Sequence, residues 1–238
     1  MMNINKKILV SDYDRTFYLN DEDIEENKNA IKVFREKGNL FIIATGRSYF
    51  DFNNKKDLYN IKYDYVIINH GATILDSNNN VIYNYSINNK IIAELKNDLE
   101  IEKSIKNFCC SKLESRVDFK YKDLTKIYVK YDDNKTAVRI NNKIKEKYTE
   151  YVNSYMINEN TIEIISSEID KSSAIELLIK DIQVSKDKVY TIGDGYSDIE
   201  MIKKFNGYCM KNSVPELKEL ATKEVDSVSV LVNELLGK

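Results

Sequence analysis

What most limits the fold open to this chain is a pattern that recurs along it: a short apolar, largely β-branched run that stops abruptly at polar residues. Lys7 to Ser11 ends in Asp-Tyr-Asp-Arg-Thr, Leu40 to Ala44 in Thr45-Gly46-Arg47, Tyr65 to Ile68 in Asn69-His70-Gly71, and Lys188 to Ile192 in Gly193-Asp194-Gly195. Runs without polar alternation read as strands buried on both faces, the mark of a parallel sheet covered by helices. Between the first two lies Ile24 to Lys37, with Ile24, Ala30, Ile31 and Phe34 on one helical face, acidic first turns, basic last turns and Gly38 as a stop. Strand, helix, strand predicts an α/β fold whose strands deliver their polar ends to a common edge.

The middle of the chain reads differently. Val81 to Ser86 and Lys126 to Tyr131 alternate like half-buried strands, and Lys90 to Lys103 and Lys135 to Tyr151 look like amphipathic helices. Tyr155 to Ser166 supplies two further strands broken at Asn158-Glu159-Asn160. The buried style then returns, with a helix from Ser172 to Ile182, a strand near Tyr208 to Met210, and helices near Pro215 and Val228. An α+β module over residues 83–166, inserted into a core of residues 1–82 and 167–238, accounts for both styles, and 238 residues suffice for both units.

Thirty-six basic against 38 acidic residues leave a formal charge of −2, so no overall field recruits nucleic acid or a membrane surface. The apolar runs fall far short of the ~20 residues of a membrane span. Met1 to Lys7 leads into no secretory signal, so a cytoplasmic location is expected. Cys109, Cys110 and Cys209 match neither a disulfide framework nor a zinc-ligand spacing, and read as ordinary thiols. The basic stretch Arg116, Lys120, Lys122, Lys126 and Lys130 reads first as a solvated sheet face and second as a surface attracting a phosphorylated substrate.

Chemistry concentrates at the strand ends. Asp12 and Asp14 sit two apart after the first run, and Asp194 and Asp198 follow the last. Adjacent carboxylates repel unless a cation or a shared proton relieves them, and Mg²⁺, which favours oxygen ligands, fits such a pair. Either pair alone reads equally as a turn or helix cap. Thr45, at a strand end, and Lys171, at a helix start, would add the hydroxyl and ammonium that a phosphoryl dianion requires. Singly, each also reads as an ordinary strand-end or surface residue.

In order and spacing, Asp12-Tyr-Asp14-Arg-Thr16, Thr45-Gly46-Arg47, Lys171 and Gly193-Asp194-Gly-Tyr-Ser-Asp198 resemble the motifs of the haloacid dehalogenase superfamily. The insertion resembles its C2 type of cap. Asn69-His70-Gly71-Ala72 and Met210-Lys-Asn212 are similar to segments of its Cof-like sugar phosphatases. The resemblance implies a Rossmann-like parallel core with an inserted α+β cap, and a Mg²⁺-dependent phosphatase acting on a small phosphorylated metabolite such as a sugar phosphate. It implies Asp12 as nucleophile, Asp14 as acid and base, and Thr45 and Lys171 as phosphoryl-binding groups. Asp12, Asp14 (through its backbone carbonyl), Asp194 and Asp198 would hold the metal. Gly46, Arg47, Asn69 and Asn212 would contact substrate, and Arg47 and His70 equally fit structural roles.

The sequence departs from the family pattern at Arg15 and Ser172, where Gly is common, and at Ser197, where Asn is common. Arg15 bears only on a backbone conformation, since Asp12, Asp14 and Thr16 are retained; Ser172 caps the following helix, and Ser197 reaches its partner through water or not at all. A phosphomutase, or a catalytically weak phospho-ligand sensor, fits the same residues. A monomer or weak homodimer is expected.

Overall fold

A computed structural model describes residues 6–237. The first part of the chain runs β1 (Ile8–Ser11), α1 (Asp21–Glu36), β2 (Leu40–Ala44), α2 (Tyr49–Leu58), β3 (Tyr65–Ile68), β4 (Thr73–Asp76) and β5 (Val81–Asn84). There follow α3 (Ile92–Asp98), β6 (Lys106–Ser111), β7 (Glu114–Val117), β8 (Lys126–Lys130), α4 (Asn134–Lys147), β9 (Val152–Asn158) and β10 (Thr161–Ser166). The last part is α5 (Lys171–Asp181), β11 (Val189–Gly193), α6 (Ile199–Lys204), β12 (Asn206–Met210), α7 (Pro215–Leu220), β13 (Lys223–Val225) and α8 (Val228–Leu235).

Eight strands form one sheet in the order β13-β12-β11-β1-β2-β3-β4-β5, parallel from β13 to β3 and antiparallel thereafter. Its central strands are almost wholly buried because each face has its own core. Leu9, Phe41 and Ile43 pack on one side with Ile24, Phe34 and Leu231 of α1 and α8. Ile8, Val10 and Ile42 pack on the other with Ile175, Leu178 and Met201 of α5 and α6. Helix α1 starts where Asn20 accepts from the Glu22 and Asp23 amides at 2.9 and 3.0 Å, and ends before Gly38, whose φ of 84° breaks the spiral.

The second sheet, β7-β6-β8-β10-β9, is antiparallel and has one apolar face. Ile127, Val129, Ile162 and Ile164 meet Leu95 of α3 and Ile140 and Ile144 of α4. Their alternating neighbours face the large sheet. This mixed α/β architecture, with an antiparallel layer suited to a cap, is the one the sequence predicts.

Three local expectations are corrected. The Val81 strand hydrogen-bonds to β4 as the edge of the large sheet, so residue 82 falls inside β5. The helix expected over Lys90 to Lys103 stops at Asp98, because Glu100 turns left-handed at φ 47°. The helix expected from Lys135 to Tyr151 spans Asn134–Lys147 behind an Asp133 cap. Cys109, Cys110 and Cys209 are buried free thiols. Among the described residues no helix is long and apolar enough to cross a membrane.

Gly207 of β12 lies against α6: an added Cβ would stand 2.0 Å from the Ile202 carbonyl oxygen. Gly207→Ala is expected to destabilise the fold by about 3 kcal/mol, read as a lowered urea midpoint at unchanged slope.

Candidate active site

In the large sheet the chain moves outward from β1 in one direction through β2 and β3, and in the other through β11, β12 and β13. The crevice beyond the carboxyl ends of β1 and β11 is therefore the switch point where such sheets bind ligands. Asp12 follows β1, its amide donating to the Ile192 carbonyl at 2.9 Å, and Asp194 follows β11 beside it. Lys171 opens α5, whose start is fixed by a reciprocal cap: Asp170 accepts from the Ser173 amide at 2.7 Å, and Ser173 Oγ accepts from the Asp170 amide at 2.8 Å.

These elements bring Asp12, Asp194 and Asp198 together, with one carboxylate oxygen of each within 4.8 Å of the others. Lys171 Nζ bridges two of them, donating to Asp12 Oδ1 at 2.6 Å and Asp198 Oδ1 at 2.7 Å. Asp198 Oδ2 accepts from the Asp194 and Gly195 amides at 3.1 and 3.0 Å, so that side chain is satisfied by protein on both oxygens. The turn closes this tightly because residue 193 is Gly: a Cβ there would lie 2.6 Å from Asp198 Cγ. Thr16 Oγ1 donates to Asp194 Oδ1 at 3.0 Å, and Arg15 Nε lies 3.4 Å from Asp194 Oδ2.

Charge is out of balance here. Burial drives the Asp12 carboxyl well above its ordinary range against the pull of Lys171, and Asp198 and Asp194 push it the same way. Burial and then Asp198 push Asp194 up to about 6, against Arg15, Thr16 and Lys171. Burial would strip Lys171 of its proton, but Asp12 and Asp198 overrule it and the net shift is upward. Three buried carboxylates with a single buried ammonium leave negative charge uncompensated, and oxygen donors in a cluster are what a hard divalent cation takes. The donor set thus fits Mg²⁺.

Asp14 is turned away from this cluster. Its carboxylate is clamped by Arg47, with Nε to Oδ2 at 2.8 Å and Nη2 to Oδ1 at 2.6 Å, and the guanidinium lies over the Tyr13 ring. Thr45 is buried after β2, its hydroxyl accepting from the Arg47 amide at 3.1 Å. Gly46 has the His70 ring against it, and a Cβ would lie 2.3 Å from His70 Cε1. Asn69 is fully buried with its Oδ1 unpartnered, while its Nδ2 reaches Thr125 Oγ1 at 3.4 Å. Asn212 and Arg15 exchange bonds at 3.0 Å, Asn212 Nδ2 to the Arg15 carbonyl and Arg15 Nη2 to the Asn212 carbonyl. Asn212 is therefore tied to the loop after β1.

Arg15 adopts φ 63°, a conformation natural to Gly. Ser172 is not the cap of α5, since Asp170 holds that place and the Ser172 hydroxyl is buried without a partner. Ser197 lies half-buried on the turn between β11 and α6.

Opposite the carboxylates lies the second sheet, and the two enclose a cleft of about 1060 Å³ lined by Asp12, Arg47, Phe108, Tyr128, Tyr155 and Lys171, among others. Lys126, expected on a solvated face, is 2% exposed: its ammonium donates to Gly46 O at 2.6 Å and to Glu163 Oε1 at 2.8 Å. Glu163 Oε2 in turn lies 2.5 Å from His70 Nε2. Glu163 was not singled out in the sequence, and Lys126 was marked only as one of a basic stretch, not as a buried partner of the Gly46 carbonyl. The available signal was a lone carboxylate in Thr-Ile-Glu-Ile-Ile-Ser, an otherwise apolar strand.

Comparison with known proteins agrees with this geometry. Residues 9–117 and 110–230 match the family model of haloacid dehalogenase-like hydrolases. The 5-amino-6-(5-phospho-D-ribitylamino)uracil phosphatase of Bacillus subtilis is 27% identical over 231 residues, covering 92% of this chain and 89% of its own. A Plasmodium vivax structure described as HAD/COF-like superposes with a TM-score of 0.85 at 20% identity, over 99% of this chain and 97% of its own. A haloacid dehalogenase-like hydrolase from Bacteroides thetaiotaomicron gives 0.82 at 17% identity, over 97% and 99%. The chain belongs to the haloacid dehalogenase-like hydrolases and is a phosphatase of that family.

Proposed function

We propose that this phosphatase is Mg²⁺-dependent, acts on a small phosphorylated metabolite, sugar phosphates foremost, and works through a phosphoryl group carried on Asp12. The residues between β5 and α5 serve as the cap, and the rest as the catalytic core. The observation that carries the reading is the meeting of Asp12, Asp194 and Asp198 within 4.8 Å around the Lys171 ammonium, at the floor of the cleft.

In this reading Asp12 Oδ1 stays on Lys171 while Oδ2 attacks phosphorus in line, forming the acyl phosphate as the bond to the leaving oxygen breaks. Asp14 gives that oxygen its proton and takes one from the water that then cleaves the acyl phosphate. Arg47 now occupies both oxygens of the Asp14 carboxylate, so acid catalysis calls for the guanidinium to exchange Asp14 for a phosphoryl oxygen. The Thr45 hydroxyl and Lys171 bind the remaining phosphoryl oxygens. Asp12 and Asp194, with the Asp14 backbone carbonyl, would hold Mg²⁺, and Asp198 anchors Lys171 and the turn from outside. When bound, the metal offsets the repulsion between a carboxylate and a phosphate dianion.

The roof of the cleft supports a leaving group larger than a triose. Phe108, Tyr128, Glu163 and Tyr155 lie in register across four strands, and the Phe108 and Tyr128 rings stack at 4.5 Å. The Bacillus relative's substrate, a phosphorylated ribityl chain ending in a pyrimidine, has a suitable shape and belongs in any screen.

With p-nitrophenyl phosphate and Mg²⁺ the protein is expected to turn over. EDTA should abolish activity and Asp12→Asn lower kcat by at least about a thousandfold. Silence across a broad panel of phosphometabolites would overturn the reading. Tyr128→Ala should lower kcat/KM for ring-bearing phosphates about tenfold, leaving glycerol phosphate within about twofold.

A further inference from the structure

The turn Thr45-Gly46-Arg47 is held by three consecutive carbonyl oxygens. Thr45 O accepts from the His70 amide at 3.0 Å, and Arg47 O from the Asn69 amide at 2.9 Å. Both donors sit in the turn after β3, where Asn69 and His70 take left-handed φ values of 51° and 55°. The middle carbonyl, Gly46 O, is held from the other side of the cleft by Lys126 of β8 at 2.6 Å. Lys126 shares its ammonium with Glu163 of β10, and Glu163 closes the circuit on His70, whose ring stacks on Tyr155 with centroids 5.0 Å apart.

All three residues are buried, at 2%, 6% and 4% exposure for Lys126, Glu163 and His70. A buried ion pair is a poor device for stability, because desolvation of both charges offsets their attraction and an apolar pair would serve as well. Its attachments here are specific. One end grips the carbonyl between Thr45 and Arg47; the other grips the histidine whose ring closes over Gly46, where not even a Cβ would fit. Burial raises the carboxyl pKa of Glu163, but Lys126 and His70 outweigh it and hold it at about 2, while Glu163 keeps Lys126 protonated against burial.

We propose that Lys126 and Glu163 are positioning residues: this buried pair, carried by the second sheet, sets the Thr45-Gly46-Arg47 turn and so aligns the Thr45 hydroxyl and the Arg47 guanidinium with the substrate's phosphoryl group. The proposal rests on the phosphate-binding reading of that turn. Misplacement of such groups by an ångström costs on the order of a hundredfold in rate.

Lys126→Met, Glu163→Gln and the double variant K126M/E163Q separate positioning from stability. Each single variant strands one charge and should lower Tm; the double variant removes both charges, keeps an amide on His70, and should recover most of that loss. Under the proposal it does not recover function. Its kcat/KM for p-nitrophenyl phosphate stays ten- to a hundredfold below wild type, and amide exchange across residues 44–48 stays at least tenfold faster. A double variant with wild-type kcat/KM and wild-type exchange at 44–48 would overturn it. The exchange measurement needs no turnover, so a wild-type protein inactive on every phosphate ester would count against the phosphatase reading, while slow exchange at 44–48 restored by neither variant set would still uphold the coupling.

Discussion

One ammonium among three carboxylates organises this molecule. Lys171 reaches Asp12 and Asp198 from the start of α5, and Asp194 stands alongside at the end of β11. In water such groups would drift apart; buried, they stay because strands and helix starts hold their backbones fixed. The order of the sheet follows from that requirement. β1 and β11 must be neighbours, their carboxyl ends must face one crevice, and the helices must cover both faces of the central strands, which are apolar for that reason.

This is also why so much of the core could be read from the amino acids. An unbroken apolar run ending in Asp has few ways to be placed, which marks Asp12, Asp194 and Asp198 in the sequence, while Lys171 is marked by its place at a helix start. The structure brings these four together. Elsewhere the pattern was ambiguous for physical reasons. Val81 to Asn84 is an edge strand with Val81 and Ile82 both exposed, and from the amino acids alone it cannot be told from a half-buried strand of an inserted module. Ser172 offered a hydroxyl at the right place for a cap, yet Asp170 and Ser173 satisfy each other and leave no donor for it.

Lys126 and Glu163 show the limit most clearly. Alternation along β8 and β10 tells which residues share a face and says nothing about what covers that face. A lysine on the polar side of a strand is ordinarily solvated, and here the core of the same chain lies over it, so only the packing of one sheet on the other turns Lys126 into a buried donor to Gly46. Arg47 poses a related problem. Its position beyond β2 marks it for the site, but its pairing with Asp14 depends on two loops from separate strands meeting.

The one-sided core of the second sheet has a consequence for its other face. Ile127, Val129, Ile162 and Ile164 secure it from behind, so residues interleaved with them, such as Phe108, Tyr128 and Ile157, are released from the duty of keeping the layer folded. Those side chains can therefore be exchanged with little penalty to the scaffold. What this surface presents to the cleft can change while the acidic floor stays as it is.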